Sequence, residues 1–150
     1  MNVQLIGEAN DYVCKGMNGG ILTIIPPKIE KTSSEQVILG NTCLYGATGG
    51  KVVILGSTGR NIGAGMTGGI AFIIDEKNDL INKVNKEIVS IHKITSSKQE
   101  EILLEIIREY RAKTNSLKAA KIIENWSYYK STFKLIVPPS EEEMLGIKKM

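Results

Sequence analysis

The sequence predicts a mainly β protein: a right-handed parallel β-helix, built as a single-stranded solenoid, with a C-terminal α-helical cap. Three observations predict this fold class. Fourteen of the fifteen glycines lie between Gly7 and Gly69. Within that region one glycine-rich turn recurs, and each copy leads into an apolar segment of five residues. Beyond Asp75 glycine almost disappears, and the apolar residues take helical spacing.

The recurring turn has the form Gly-x-(Asn or Thr)-Gly-Gly and precedes a segment that we interpret as a β-strand. The three turns and their strands are residues 16–20 with 21–25, 46–50 with 51–55, and 65–69 with 70–74. The second and third turns are 19 residues apart, a spacing typical of solenoids. The first and second are 30 apart, because residues 26–35 form a polar insertion that opens with two prolines and predicts a loop.

Strands of this length are expected to stack, because a five-residue strand cannot bury its own apolar face. Stacked on equivalent strands of neighbouring coils, each becomes part of a parallel sheet whose backbone groups pair along the stack. Runs of Ile and Val with little alternation are typical of buried parallel strands. Parallel crossovers are right-handed in nearly all proteins, so a right-handed solenoid is expected.

The C-terminal half, residues 76–150, predicts a helical cap and tail on the glycine-punctuated half, residues 1–75, so that both form one structural unit. A first short helix is predicted from the spacing of Val84, Ile88, Ile91 and Ile94. The open end of a solenoid exposes unpaired strand edges that invite aggregation. A helical hairpin on the last coil would cover them, and a partner-binding arm is the alternative.

Helix start signals in this half are specific. Ser97-Lys98-Gln99-Glu100 has the pattern of a capping box. The apolar stripe of the helix that follows is Ile102, Leu103, Ile106, Ile107 and Tyr110. Ser116 is expected to cap a further helix, and residues 133–137 are expected to be extended. The acidic residues 141–143 and the lysine pair at 148–149 belong to a tail that we expect to be mobile.

Composition excludes several classes of function. The net charge of +3 is mixed in sign, which argues against a nucleic-acid surface. Two cysteines, Cys14 and Cys43, and one histidine are too few for a zinc or iron–sulfur site, and we interpret the cysteines as reduced. The sequence contains neither an apolar run of about 20 residues nor the pattern of a signal peptide. A cytoplasmic location is expected, or the plastid stroma if the gene is organellar.

Residues that resemble catalytic or binding motifs have structural explanations. Residues 63–68 match Gly-x-Gly-x-x-Gly, but a predicted strand follows them where a dinucleotide site needs a helix. His92 has no neighbouring nucleophile, so we interpret it as a packing or surface residue. Asp11 and Asp75 flank turns and are expected to cap them. The sequence therefore predicts no catalytic residue, no cofactor-binding residue and no metal ligand.

Long phrases of this chain resemble a known family. Residues 7–20, 40–50 and 63–71 resemble the GXGXG domain, the C-terminal domain of the glutamate synthase large subunit. Further similarity is found at 83–87, 114–116, Trp126 and 138–139. The segment Pro138-Pro139-Ser140-Glu141 is most similar to the ferredoxin-dependent type.

The resemblance implies a right-handed β-helix that acts as a scaffold in glutamate biosynthesis and ammonia assimilation. In that family glutamine is hydrolysed in an amidotransferase domain, and ammonia reacts with 2-oxoglutarate at an FMN and iron–sulfur site. The resemblance implies that FMN and the iron–sulfur cluster belong to parts of the enzyme outside this chain. It also implies that the chain begins inside the β-helix and lacks about two coils between residues 46–50 and 65–69.

Three functional interpretations stay open at this point. The chain is a scaffold part of glutamate synthase, inactive alone, or a non-functional gene remnant of it. Alternatively, it is a stand-alone β-helix assembly subunit of another multi-subunit oxidoreductase. An independent enzyme is the third interpretation, and nothing in the sequence supplies its chemistry. Partners are expected among other glutamate synthase domains or subunits, with no nucleic acid and no membrane. The short solenoid predicts modest stability, or self-association through exposed coil ends.

Overall fold

A computed structural model of the chain describes residues 2–6, 12–13, 15–25, 38–39, 46–143, 145 and 147. Its strands are β1 (Asn2–Ile6), β2 (Ile21–Ile25), β3 (Ile38–Leu39), β4 (Thr48–Ile54), β5 (Ser57–Thr58), β6 (Gly68–Ile74), β7 (Ser90–Lys93) and β8 (Phe133–Val137). Its α-helices are α1 (Ser97–Thr114), α2 (Leu117–Glu124), α3 (Trp126–Tyr129) and α4 (Pro139–Glu142). Short 3₁₀ helices occupy Leu80–Asn82 and Lys130–Thr132. No helix in these described ranges is long and apolar enough to cross a membrane.

Parallel pairing follows one register along the glycine-rich half. β1 pairs with β2, β3 with β5, and β4 with β6, all in parallel. Val3 lies opposite Leu22, and Val53 lies opposite Phe72. Each pair is 19 residues apart, and so are the partners of β3 and β5, residues 38 and 57. The spacing predicted from two turns is therefore the register of all three parallel pairs among the described strands, except at Thr48, which lies opposite Gly68 beside a register shift in β4.

The predicted strands after the glycine turns are present, with some differences in their bounds. β2 has the predicted range, whereas β4 and β6 begin inside the turn, at Thr48 and Gly68. β1 was not predicted from the sequence. Its partner β2 identifies it as a strand, and that pairing is visible only in three dimensions.

The largest sheet joins the two halves of the chain. Its strand order is β4-β6-β8-β7, and β8 runs antiparallel to both β6 and β7. All seven residues of β6 are buried. Alternate residues of β6 enter two apolar clusters, because successive side chains of a strand point to opposite faces. Ala71 and Ile73 enter the first cluster with Ile62 and Met66.

The second apolar cluster lies between the other face of that sheet and the helices. Phe72 and Leu135 contribute from the sheet, and Leu103, Ile107 and Ile122 contribute from α1 and α2. All five are fully buried. The predicted stripe of α1 therefore does pack into a core, and the core consists of strand residues from both halves of the chain.

The helix predicted between Val84 and Ile94 was wrong. This segment contains β7, and His92 lies opposite Leu135 of β8. The apolar positions do pack inward, with Val84 in the first cluster and Ile94 in the second. A short apolar segment has little power to distinguish helix from strand, and long-range pairing with β8 decides the outcome here.

The capping box of α1 is shifted by one residue from its predicted position. Ser96 is the N-cap, and its hydroxyl oxygen accepts from the Gln99 N–H at 3.2 Å. The Gln99 side chain in turn accepts from the Ser96 N–H at 3.3 Å. The predicted cap at Ser116 is confirmed, because its side chain accepts from the Ala119 N–H at 3.2 Å.

The mobile tail predicted at residues 141–143 was also wrong. Residues Pro139–Glu142 form α4, and Glu142 is buried. Proline is well tolerated in the first turn of a helix, so the second of the two prolines favours this start. The lysine pair at 148–149 lies outside the described residues.

Candidate functional site: stacked glycine turns and an apolar cleft

Turn stacking repeats the same backbone hydrogen bonds from one turn to the next. The N–H groups of Thr48 and Gly49 donate to the Met17 carbonyl at 3.0 and 3.2 Å. In the next turn, the N–H groups of Thr67 and Gly68 donate to the Ala47 carbonyl at 2.8 and 3.1 Å. Met17 and Ala47 are each the second residue of the turn, and the donors are the third and fourth residues. The three turns are thus equivalent units of one stack.

Close approach of the second and third turns requires glycine. A Cβ atom at Gly68 would lie 2.3 Å from the Thr48 carbonyl oxygen. At Gly69, where φ is +81°, it would lie 2.8 Å from the backbone of Gly49. Backbone atoms cannot move aside as a flexible side chain can, so these two glycines set the distance between the stacked turns.

The C-terminal segment covers the third turn with side chains. The Ser140 hydroxyl donates to the Thr67 carbonyl at 2.8 Å. The Gly69 N–H donates to the Glu141 carboxylate at 2.9 Å. Beside them, His92 Nε2 lies 3.2 Å from a carboxylate oxygen of Glu142. Side chains of α4 therefore bind the backbone of the last turn.

A cleft of about 460 Å³ separates β2 from β4. The two strands leave stacked turns side by side, but they do not pair with each other among the described strands. Apolar residues of both strands form most of the walls, and α1 contributes Ile106 and Tyr110. The Tyr110 hydroxyl donates to the Ile24 carbonyl of β2 at 3.3 Å. Burial raises the pKa of the Tyr110 phenol, against a smaller opposite effect of hydrogen bonds from Thr114 and Ser116.

Charged residues at the cleft carry an excess of positive charge. Lys51, Lys113, Lys118 and Glu109 line it. Lys113 pairs with Glu109 along α1, and Lys118 pairs with Glu76 at 2.9 Å. Lys51 is exposed on β4 and forms no ion pair with the described residues.

The motif-like residues have structural partners in this molecule. β6 begins at Gly68, so the motif at residues 63–68 leads into a strand and not into a helix. Asp75 accepts from the N–H groups of Asp79 and Leu80 at 3.0 and 3.2 Å, as expected of a capping residue. Asp11, Cys14 and Cys43 lie outside the described residues.

Sequence reasoning missed the residues that define this site. Glu141 and Tyr110 had been placed in a mobile tail and in a helix stripe, and both bind backbone groups of distant turns or strands. The proline before Ser140 was the available signal for α4. The cleft has no sequence signal, because it depends on how far two strands diverge after their turns. Within the described ranges, no three His, Cys, Asp or Glu residues are grouped to hold a metal ion.

The stacked glycine-rich turns, joined by backbone hydrogen bonds, characterise the class of protein to which this chain belongs. Comparison with known families identifies that class. The chain belongs to the GXGXG motif family, whose model matches residues 1–52 and 47–139. Among individual proteins it is similar to ferredoxin-dependent glutamate synthases. It is 47% identical to that of Antithamnion sp. over 180 residues, covering 95% of this chain and 12% of the relative. The corresponding enzyme of Pyropia yezoensis is 42% identical, with 94% and 12% covered. Ferredoxin-dependent glutamate synthase 2, chloroplastic, of Arabidopsis thaliana is 43% identical, with 95% and 11% covered.

The chain thus spans about an eighth of the length of these relatives. The alignment with the Antithamnion protein has 180 positions, whereas 95% of 150 residues is about 142. About 38 positions of that relative therefore have no counterpart here, which is twice the 19-residue register of the parallel strands. The two family matches overlap at residues 47–52, inside the second turn and its strand.

Proposed function

We propose that the chain is a structural, non-catalytic part of a glutamate synthase, where it serves as a β-helix scaffold in glutamate biosynthesis. The single observation that carries this proposal is the 19-residue register that all three parallel strand pairs share, together with equivalent turn-to-turn hydrogen bonds. Stacked coils of this kind provide a rigid surface on which other domains can be held. Similarity to ferredoxin-dependent glutamate synthases over 95% of the chain supports the identity of the parent enzyme.

A right-handed parallel β-helix is our proposal for the coil region. Its support is that β1–β2, β3–β5 and β4–β6 are parallel pairs with one common offset of 19 residues, as expected when successive coils lie on one another. The helical segments α1 and α2 then act as a cap, because they cover one face of the sheet that contains the last coil strand, β6.

We further propose that this chain has lost two coils relative to its relatives. The unmatched length of about 38 positions equals two coils, and the overlap of the family matches at residues 47–52 is where the loss would join two turns. Turns 46–50 and 65–69 form equivalent backbone bonds, so one turn can replace the other without a change of register.

The proposal assigns no catalytic, cofactor-binding or metal-binding residue to this chain. FMN, the iron–sulfur cluster and the amidotransferase site belong, in this proposal, to other parts of the enzyme. His92, the only histidine, faces Glu142 next to the covered turn, which is consistent with a structural role. The cytoplasm, or the plastid stroma for a plastid gene, is the expected location.

A pull-down of the tagged full chain from its native extract tests the scaffold role. We expect to recover polypeptides with amidotransferase and FMN-barrel sequences, and glutamate synthase activity in the eluate. The matched control is the Gly69→Ala variant, which disrupts the turn stack and should recover neither. Recovery of a different oxidoreductase would favour the assembly-subunit alternative. Recovery of no partner would indicate a remnant, and flavin bound to the isolated chain would contradict the absence of a cofactor site.

A further inference from the structure

The cleft between β2 and β4 is wedge-shaped. At one end the turns that precede the two strands are in contact, since Thr48 donates to Met17 and a Cβ at Gly50 would lie 3.7 Å from the Gly19 backbone. Beyond the turns the strands separate, and α1 bridges the gap through the Tyr110 bond to Ile24. The wedge is therefore closed at one end by the turns and bounded on one side by a helix.

Apolar walls with solvent contact make this space suitable for an apolar molecule. Ile21 and Leu22 on one wall are 39% and 37% exposed, although both belong to a strand of apolar residues. Val52 and Val53 on the facing wall are only half-buried. The volume of about 460 Å³ lies within the range of about 300–1,000 Å³ that is usual for small-molecule sites. Removing these side chains from water would favour binding of a hydrocarbon chain.

Polar groups at the cleft favour an anionic end on that molecule. Three of the four charged residues that line it are lysines, and the one carboxylate, Glu109, already pairs with Lys113. Lys51 is exposed and makes no ion pair with the described residues, and its ammonium group can form a charge-assisted hydrogen bond with a carboxylate. The edge of β4 away from β6 has no strand partner in the described part of the chain, although Thr48 and Gly49 at its start donate to the Met17 carbonyl.

An extended peptide fits this space less well. A strand inserted between β2 and β4 would need about 4.8 Å on each side along its length. The contact between Gly19 and Gly50 leaves no such room at the turn end. A single hydrocarbon chain needs no backbone pairing and fits a tapering space.

We propose that the β2–β4 cleft binds a linear carboxylate with an alkyl chain, of the fatty-acid class, with its chain between the strands and its carboxylate at Lys51. The site lies between two strands that leave the turn stack, and this binding goes beyond the scaffold role and does not depend on it.

The test is titration of the full chain with decanoate below its micelle concentration, followed by calorimetry and by backbone amide NMR shifts. We expect one site, with the largest shifts in β2, β4 and α1. Decyltrimethylammonium, which has the same chain and the opposite charge, should bind at least about tenfold more weakly. Equal affinity for the two, or shifts outside the cleft, would overturn the proposal. So would the absence of binding at about 1 mM decanoate.

Substitutions separate the contribution of the Lys51 charge to binding from the contribution of the apolar wall. Lys51→Glu should weaken decanoate binding about tenfold and reverse the preference between the two amphiphiles. Lys93→Glu makes the same charge change on β7, at the opposite edge of the same sheet, and should leave the affinity within about twofold. Ile106→Gln should weaken both amphiphiles, and an unchanged circular dichroism spectrum confirms that each variant is folded.

A vesicle-flotation experiment distinguishes binding of a free carboxylate from binding to a lipid bilayer. Vesicles of phosphatidylcholine with phosphatidylglycerol are floated in the presence of the chain. We expect the chain to remain in the fractions without vesicles. Co-flotation that Ile106→Gln abolishes would show that the cleft contacts a bilayer, and this would overturn the assignment to a free carboxylate. Equal effects of Lys51→Glu and Lys93→Glu on decanoate binding would show non-specific charge attraction and would also overturn it.

Discussion

β2 and β6 follow the same kind of turn and have similar apolar sequences, yet their surroundings differ. All seven residues of β6 are buried, whereas Ile21 and Leu22 of β2 are 39% and 37% exposed. β6 pairs on both edges, with β4 and β8, and has an apolar cluster on each face. β2 pairs only with β1 among the described strands. The number of neighbours in the stack, and not the sequence of the strand, decides how much a coil strand buries.

The largest effect that this comparison predicts is at a turn glycine. Gly69→Ala should lower the free energy of unfolding by about 4 kcal/mol, because it adds steric overlap with Gly49 to an unfavourable positive φ. Gly16→Ala, at φ +64° with nothing within 4 Å, should cost only about 1–2 kcal/mol. Urea unfolding measures both. Equal losses would mean that the turns are not closely stacked.

Leucine truncation compares the two regions with the same chemical change. Leu135→Ala in β8, where the side chain is fully buried, should cost about 3 kcal/mol. Leu22→Ala in β2, 37% exposed, should cost less than about 1 kcal/mol. Thermal and urea unfolding provide the two values. A larger loss at Leu22 would show that the N-terminal coil is packed more tightly than its exposure indicates.

The covered end of the turn stack predicts a smaller effect. Glu141→Ala removes the acceptor of the Gly69 N–H and should cost about 1 kcal/mol. Glu143→Ala, an exposed position on the same segment, is the control and should be neutral. Hydrogen exchange should also become faster at the Gly69 amide in the first variant. If its rate does not change, the carboxylate does not protect that turn.

The smallest predicted effect concerns the link between α1 and β2. Tyr110→Phe removes the bond to Ile24 and should cost about 0.5–1 kcal/mol at neutral pH. Burial raises the pKa of the Tyr110 phenol in the folded state above its usual 10.0. The phenol therefore stabilises the fold fully below about pH 10, and that contribution decreases as the pH rises through the folded pKa.

Unfolding curves between about pH 9 and 11.5 measure that pH dependence. The wild-type chain should lose stability in this window more steeply than Tyr110→Phe. Tyr128→Phe is the control, because Tyr128 is 68% exposed and should leave the slope unchanged. If the Tyr110 variant keeps the wild-type slope, the phenol is not shielded by the cleft.

How far the sequence predicts this molecule depends on how local each signal is. The turns predicted the 19-residue register, because glycine is required at Gly68 and Gly69, where the third turn contacts the second. Ser116 and the apolar stripe of α1 were predicted, since caps and helix faces depend on residues within one or two turns. β7 was assigned to a helix because four residues of mixed pattern are ambiguous until β8 pairs with them.

The candidate site was not predictable for a related reason. Lys51 is at least 55 residues from Ile106 and Tyr110, which share one stripe of α1, and only the divergence of β2 from β4 brings the three to one space. Nothing in the order of residues states how far two neighbouring coils separate. The turn glycines predict contact at the end of the strands that is next to the turns. They do not predict the distance between β2 and β4 at the other end.

The antiparallel direction of β8 gives the stack a polarity. β8 occupies the edge of β6 where another parallel strand would add, and α4 covers the turn beside it. Because β8 and α4 cover one side of β6, coils can be added to the stack or removed from it only on the β1 side of β6. If the proposed β-helix is correct, changes in the number of coils are confined to that side, and the end covered by β8 and α4 stays the same.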